Sequence, residues 1–101
     1  MIKDHFGNEF SPIEMYKLIN LLISAKIPFE VVELYDTPQV CYPSNSSRIC
    51  DVVCHSGSYG HEQGLLEIMG LNIDTTDDVE GWLTADEVFK RISQDYERNK
   101  K

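Results

Sequence analysis

Apolar residues Met15, Leu18, Ile19, Leu22 and Ile23 recur at three- and four-residue intervals, which places them on one stripe of a helix. Ser11-Pro12-Ile13-Glu14 precedes the stripe with the residues of an N-terminus: a capping serine, a proline at the first helical position and a glutamate spaced to close a capping box. Phe10 and Met15 are spaced for a hydrophobic staple, and the helix is expected to end near Lys26, before Ile27-Pro28. Three β-rich runs follow, Phe29 to Tyr35, Gln39 to Tyr42 and Arg48 to His55, separated by the turn chemistry of Asp36-Thr37-Pro38 and Pro43-Ser44-Asn45-Ser46-Ser47. Connections this short favour an antiparallel meander. In the third run Cys50, Val52 and Cys54 fall on one face, and Ile49, Asp51, Val53 and His55 on the other.

From His61 to Met69 the pattern predicts a short helix with Leu65, Leu66 and Met69 on its apolar side, Gly70 as C-cap and Leu71 as the accompanying contact. An acidic loop is expected from Asn72 to Gly81. A last helix begins at Thr84, where Thr84-Ala85-Asp86-Glu87 forms a second capping box and Leu83 with Val88 a second staple. Val88, Phe89, Ile92 and Tyr96 form its buried stripe, and the basic tail from Arg98 to Lys101 suits a helix C-terminus. The expected fold is α+β in the order αβββαα, a three-stranded antiparallel sheet with helices on one face. Its core is Met15, Ile19, Leu22, Val31, Val40, Val52, Leu66, Val88, Phe89 and Ile92.

With 101 residues, 42% apolar and 26% charged, the chain has the size and composition of one folded domain, residues 1–101, without a repeat or linker. It has no apolar run of the roughly 20 residues a membrane helix needs, and its first residues lack a signal-peptide pattern, so the cytoplasm is the expected compartment. Cys41, Cys50 and Cys54 sit inside strand-like runs, where reduced, buried thiols are expected.

A net charge of -8 argues against direct contact with a nucleic acid backbone and makes a basic partner the natural one. From Glu62 to Glu87 the acids Glu62, Glu67, Asp74, Asp77, Asp78, Glu80, Asp86 and Glu87 follow one another with no Lys or Arg between them. Such a run is either a partner-facing surface or a solvated one that aids solubility.

Ser56-Gly57-Ser58-Tyr59-Gly60, between a strand and the expected helix, resembles an anion-binding turn: glycines expose backbone N–H groups at the positive end of a helix, and His55, Ser56, Ser58 and His61 add donors. The plainer reading has Gly57 and Gly60 making a tight turn with Tyr59 packed on the sheet. Arg48 is the nearest cation in sequence, reaching the loop only from the far end of its strand or from a second subunit of a homodimer. Thr76, Asp78, Glu80, Gly81, Leu83 and Glu87 match EF-hand spacing, but the first position lacks its aspartate, and Glu87 already closes a capping box. Cys50, Cys54, His55 and His61 lack the Cys-x-x-Cys knuckle of zinc sites, and the adjacent Cys54 and His55 point to opposite faces of a strand. No catalytic order of residues is marked, so no enzyme, cofactor or metal is expected.

The stretch from His55 to Leu71, His-Ser-Gly-Ser-Tyr-Gly-His-Glu-Gln-Gly-Leu-Leu-Glu-Ile-Met-Gly-Leu, resembles small uncharacterised proteins of Gram-positive bacteria and their prophages. Gly81-Trp82-Leu83-Thr84-Ala85-Asp86-Glu87-Val88-Phe89-Lys90-Arg91-Ile92 and the Ile27-Pro28-Phe29-Glu30 approach to the sheet extend the likeness over most of the chain. The resemblance implies a mobile-element setting and no activity. The expectation is therefore a non-enzymatic phage-type protein that inhibits or modulates a host nucleic-acid-handling or defence protein, for example a CRISPR effector, through its acidic surface. The competing expectation is a protein that sequesters an anionic metabolite or signalling nucleotide at the Ser56 to Gly60 loop.

Overall fold

The computed structural model describes residues 2–3, 9–34, 36–55, 58–71 and 79–99. The elements are β1 (Ile2–Lys3), β2 (Glu9–Phe10), α1 (Ile13–Ser24), β3 (Glu30–Leu34), β4 (Thr37–Tyr42), β5 (Cys50–Val53), a 3-10 turn (His61–Gln63), β6 (Leu66–Gly70), β7 (Val79–Leu83) and α2 (Ala85–Asn99). β1 and β2 form a small antiparallel pair, and β3-β4-β5-β6-β7 form a five-stranded sheet in which every neighbour is antiparallel. The class is α+β with an antiparallel sheet, as the pattern implies, but the three-stranded sheet and the order αβββαα are corrected. After the β1–β2 pair the order is αβββββα, with five strands and two helices.

The correction falls on residues 61 to 83. The 3-10 turn stops at Gly64, which takes φ 72 and sits so close to Ser11 that a side chain there would press on it. Beyond it, Leu66 and Ile68 are fully buried while Met69 is exposed, a period of two instead of a helical period. Val40, Val52 and Ile68 are cross-strand partners, so Ile68 completes a buried row that a helix here would abandon. Tertiary packing thus overrides the local helix signal. Gly70 ends a strand instead of capping a helix. Gly81, expected in a loop, lies inside β7.

Met15, Leu18 and Leu22 of α1 and Ala85, Val88 and Ile92 of α2 join Val40, Tyr42, Val52, Leu66, Ile68 and Leu83 in one core. Ile19, Phe89 and Tyr96 pack against it partly buried. Val31 and Ile23, expected inside, are exposed: Val31 belongs to the edge strand β3, and Ile23 lies off the narrow Met15–Leu18–Leu22 stripe. α1 closes with the Lys26 amide on the Ile23 carbonyl and the Ile27 amide on the Leu22 carbonyl, both 3.1 Å, the two bonds of a Schellman turn. Lys26 takes its left-handed position at φ 59.

The two capping boxes part company. Around Thr84 the expected box forms: the Thr84 amide donates to Glu87 Oε1 at 3.0 Å and the Glu87 amide to Thr84 Oγ1 at 3.2 Å. These bonds hold the Glu87 carboxyl below its ordinary range. At α1 the preceding residue is Pro12, and no side chain caps the helix. Glu14 reaches across instead, and its Oε1 accepts the Ala85 amide of α2 at 2.7 Å. A charge-assisted bond at the positive end of a helix ties the two helices together there.

If residues 66–70 form a strand, truncating Ile68 and Met69 must differ sharply. Ile68→Ala is expected to cost about 2–5 kcal/mol in urea unfolding and Met69→Ala less than about 1 kcal/mol. Equal costs, or the reverse order, would restore the helix.

Candidate interaction site

The loop of residues 58–60 and the β6–β7 bulge build one surface feature. Leu66 pairs with Leu83 and Ile68 with Glu80, so Gly81 and Trp82 together oppose Glu67. This is one extra residue on β7, a bulge, and Trp82 takes φ 55 within it. The freed Trp82 amide donates to the Tyr59 carbonyl at 3.2 Å, and the Tyr59 amide donates to Glu67 Oε2 at 2.6 Å. A Cβ on Gly81 would overlap that of Tyr59, and one on Gly60, at φ 97, would lie 2.9 Å from the Trp82 backbone. Two glycines therefore let the loop lie directly on β7.

The outcome is a stacked pair of rings, Tyr59 and Trp82, with centroids 5.3 Å apart and planes inclined by 19°. Each residue is 57% exposed. Beside them lies a hollow of about 350 Å³ bordered by Ser58, Gly60, His61, Glu62 and Gln63. A larger hollow of about 700 Å³ runs along α2 at Ser93, Gln94, Glu97 and Arg98, with no aromatic residue among the described residues that line it.

The expected ligand-binding residues are brought together only in part. Ser58, Tyr59, Gly60 and His61 line the hollow, and His55 joins them through Ser58, whose hydroxyl donates to the His55 carbonyl at 2.8 Å and accepts the His55 amide at 3.0 Å. Ser56 and Gly57 lie outside the described residues. Arg48 precedes β5 whereas the loop follows it, and its guanidinium is engaged by Asn45 Oδ1, with the Asp51 carboxylate 3.6 Å away. The helix that would have lent its positive end to an anion is a three-residue turn followed by a strand. The Ser58 amide is spent on His55, the Tyr59 amide on Glu67, and the His61 Nδ1 proton on the Ser58 carbonyl. Among the described residues of the loop, the Ser58 and Tyr59 amides therefore do not face an anion.

The acidic run is likewise divided. Asp74, Asp77 and Asp78 lie outside the described residues, as does Thr76. Glu80 pairs with Arg91, Asp86 with Lys17 at 3.0 Å, Glu87 with Thr84, and Glu67 with the Tyr59 amide. Glu62, exposed at the hollow, makes no such bond among the described residues. Glu80, Gly81 and Leu83 stand in a strand paired to β6, which is not the geometry of a calcium loop.

Trp82 and Glu67 are the residues that sequence reasoning missed as a pair. Their signal was the alternation of Val79, Gly81 and Leu83 with Glu80 and Trp82, which reads as a strand once Gly81 is not taken for a turn.

The thiols are free and buried. Cys50 and Cys54 face the core, and burial pushes them up to about 12 and about 11. Cys54, whose thiol lies 3.9 Å from the Ser11 carbonyl, is the opposite of an activated nucleophile. No group of three metal-ligating side chains occurs among the described residues, and no helix there is long and apolar enough to cross a membrane. No family model, curated protein or solved structure matches the chain. Fold and site define the class: an α+β protein with a five-stranded antiparallel sheet and an exposed aromatic pair on a bulge.

The thiols set a pH dependence. In the unfolded chain they ionise near the ordinary thiol value, whereas in the folded protein Cys50 and Cys54 keep their protons to about 12 and about 11. Their contribution is therefore fully present below the unfolded value and lost as pH rises toward the folded ones. The unfolding free energy from urea titration is expected to hold to about pH 8 and fall through pH 9–11, by up to about 1.4 kcal/mol per pH unit for each thiol, with the midpoint falling accordingly. A midpoint unchanged over that range would contradict the burial.

Proposed function

We propose that this is a non-enzymatic binding protein of mobile-element type that acts in the cytoplasm on a basic, nucleic-acid-handling host protein, a defence effector such as a CRISPR nuclease being one such target. Its contact centre is the Tyr59–Trp82 pair. The observation that carries the reading is that two stacked aromatic rings are held 57% exposed on a backbone built to present them. The left-handed Trp82 costs about 1–2 kcal/mol, and strain of this kind gathers where a surface is used. Tyrosine and tryptophan are the commonest anchors of protein interfaces, and rim carboxylates select the partner's charge.

Charge supports the basic partner. The chain carries -8, and among the described residues Glu62 stands at the hollow without a bond and none of those bordering the hollow is Lys or Arg. The 3-10 turn and strand beyond the loop withdraw the helix dipole from the argument for an anionic ligand there.

Immobilised protein incubated with host lysate is expected to retain a set enriched in basic nucleic-acid-binding proteins at low salt and release it at high salt. The Tyr59→Ser/Trp82→Gly double variant should lose that set. Retention that is absent at low salt, or identical for the double variant, would sink the proposal.

A further inference from the structure

We infer that the hollow beside Tyr59 and Trp82 receives an arginine side chain of the partner and distinguishes it from lysine. The inference rests on the protein-binding reading above and names the chemical group that its contact centre recognises.

The hollow offers two aromatic residues and the Glu62 carboxylate at its border. Tyr59 and Trp82 stack on each other through one face each, and both remain more than half exposed. The outward ring faces suit a planar cation, since a guanidinium stacks on an indole while its in-plane N–H groups remain free to donate. An ammonium is a compact, strongly hydrated charge and gains less from such a seat. The Glu62 carboxylate at the border of the hollow supplies the acceptor for those N–H groups.

Three backbone donors beside the rings are engaged within the protein. The Tyr59 amide is held by Glu67, the Trp82 amide by the Tyr59 carbonyl and the Gln63 amide by the Gly60 carbonyl. The described residues that border the hollow include no Lys or Arg, so an arriving guanidinium meets no fixed like charge from those side chains. A nucleobase could stack on the same rings, but its phosphates would meet Glu62 and a chain of net charge -8.

Trp82 is the one tryptophan of the chain, so its emission reports on the hollow directly. The full chain is titrated at low salt with two synthetic peptides of equal length and charge, one of Gly-Arg repeats and one of Gly-Lys repeats, and with an oligothymidylate. The arginine peptide is expected to change Trp82 emission at about fivefold lower concentration than the lysine peptide, a ratio in the range of a partly desolvated cation–π contact. Glu62→Gln should weaken the arginine peptide about threefold or more. Trp82→Gly suits the left-handed backbone and so spares the fold; calorimetry on it should show arginine and lysine peptides binding alike. Tyr59→Ser, which keeps the fluorophore, should reduce the preference in the same direction.

Equal responses to the two peptides, unaffected by Trp82→Gly, would overturn the arginine seat and leave a general acidic surface standing. Absence of binding by either peptide at low salt would overturn both this inference and the reading beneath it. An oligothymidylate that quenches Trp82 more strongly than the arginine peptide would replace the arginine seat by a nucleic-acid one.

Discussion

The bond from the Tyr59 amide to the Glu67 carboxylate, 2.6 Å long, fixes a loop onto a strand and with it everything the surface presents. Glu67 stands opposite the extra residue of the β6–β7 bulge, where a regular ladder would leave no room for a third backbone. The bulge frees the Trp82 amide, which donates to the Tyr59 carbonyl, so residue 59 is gripped through both its N–H and its C=O. A hydrogen bond to a charged group contributes about 1.5–3 kcal/mol, comparable to the cost of a left-handed tryptophan. The loop, the bulge and the ring stack therefore stand or fall together.

The same principle governs the remaining charge. A chain with seventeen acids invites the picture of a uniform acidic face, yet several of the described carboxylates are occupied in holding the fold. Glu14 caps α2 from α1, Glu87 closes the Thr84 box, Asp86 pairs with Lys17, raising the lysine, and Glu80 pairs with Arg91. Asp95 is buried on α2, where it accepts the Tyr42 hydroxyl at 2.8 Å. Burial and this bond together push the Tyr42 phenol well above its ordinary range. On the proposed reading, partner selectivity on this surface is local, carried where aromatic area meets Glu62, which makes no side-chain bond among the described residues.

How far the sequence disclosed this depends on whether the determinants are local. α1, the strand at Cys50 and the Thr84 cap rest on short-range periodicity and capping chemistry and lie close to where the pattern put them, and the β3–β4 hairpin forms with Thr37 and Pro38, expected in the turn, already in β4. Residues 66–70 carry both a helical and a strand pattern, and only the facing row of Val40 and Val52 decides between them. Glu14 shows the same limit: its spacing from Ser11 is that of a capping box, but its partner is an amide 71 residues further on. At Ser58 to Gly60 the turn itself was legible, but what it packs against was not. Local sequence could not reveal that a carboxylate from β6 would take up the Tyr59 donor, or that Gly81 was glycine to make room for Tyr59. Asp95, an acid on the buried side of α2, was likewise invisible without Tyr42 across from it.

Amide hydrogen exchange at Tyr59 tests the central claim most directly, because that single proton reports whether the loop is bound to the sheet. In the wild-type protein it is expected to exchange much more slowly than a free loop amide, and Glu67→Ala should remove about tenfold or more of that protection, the equivalent of a bond worth about 1.5 kcal/mol. Amides of β5 should keep their protection in the variant. A Tyr59 amide that exchanges at the free-loop rate in the wild-type protein, or one indifferent to Glu67→Ala, would contradict the account.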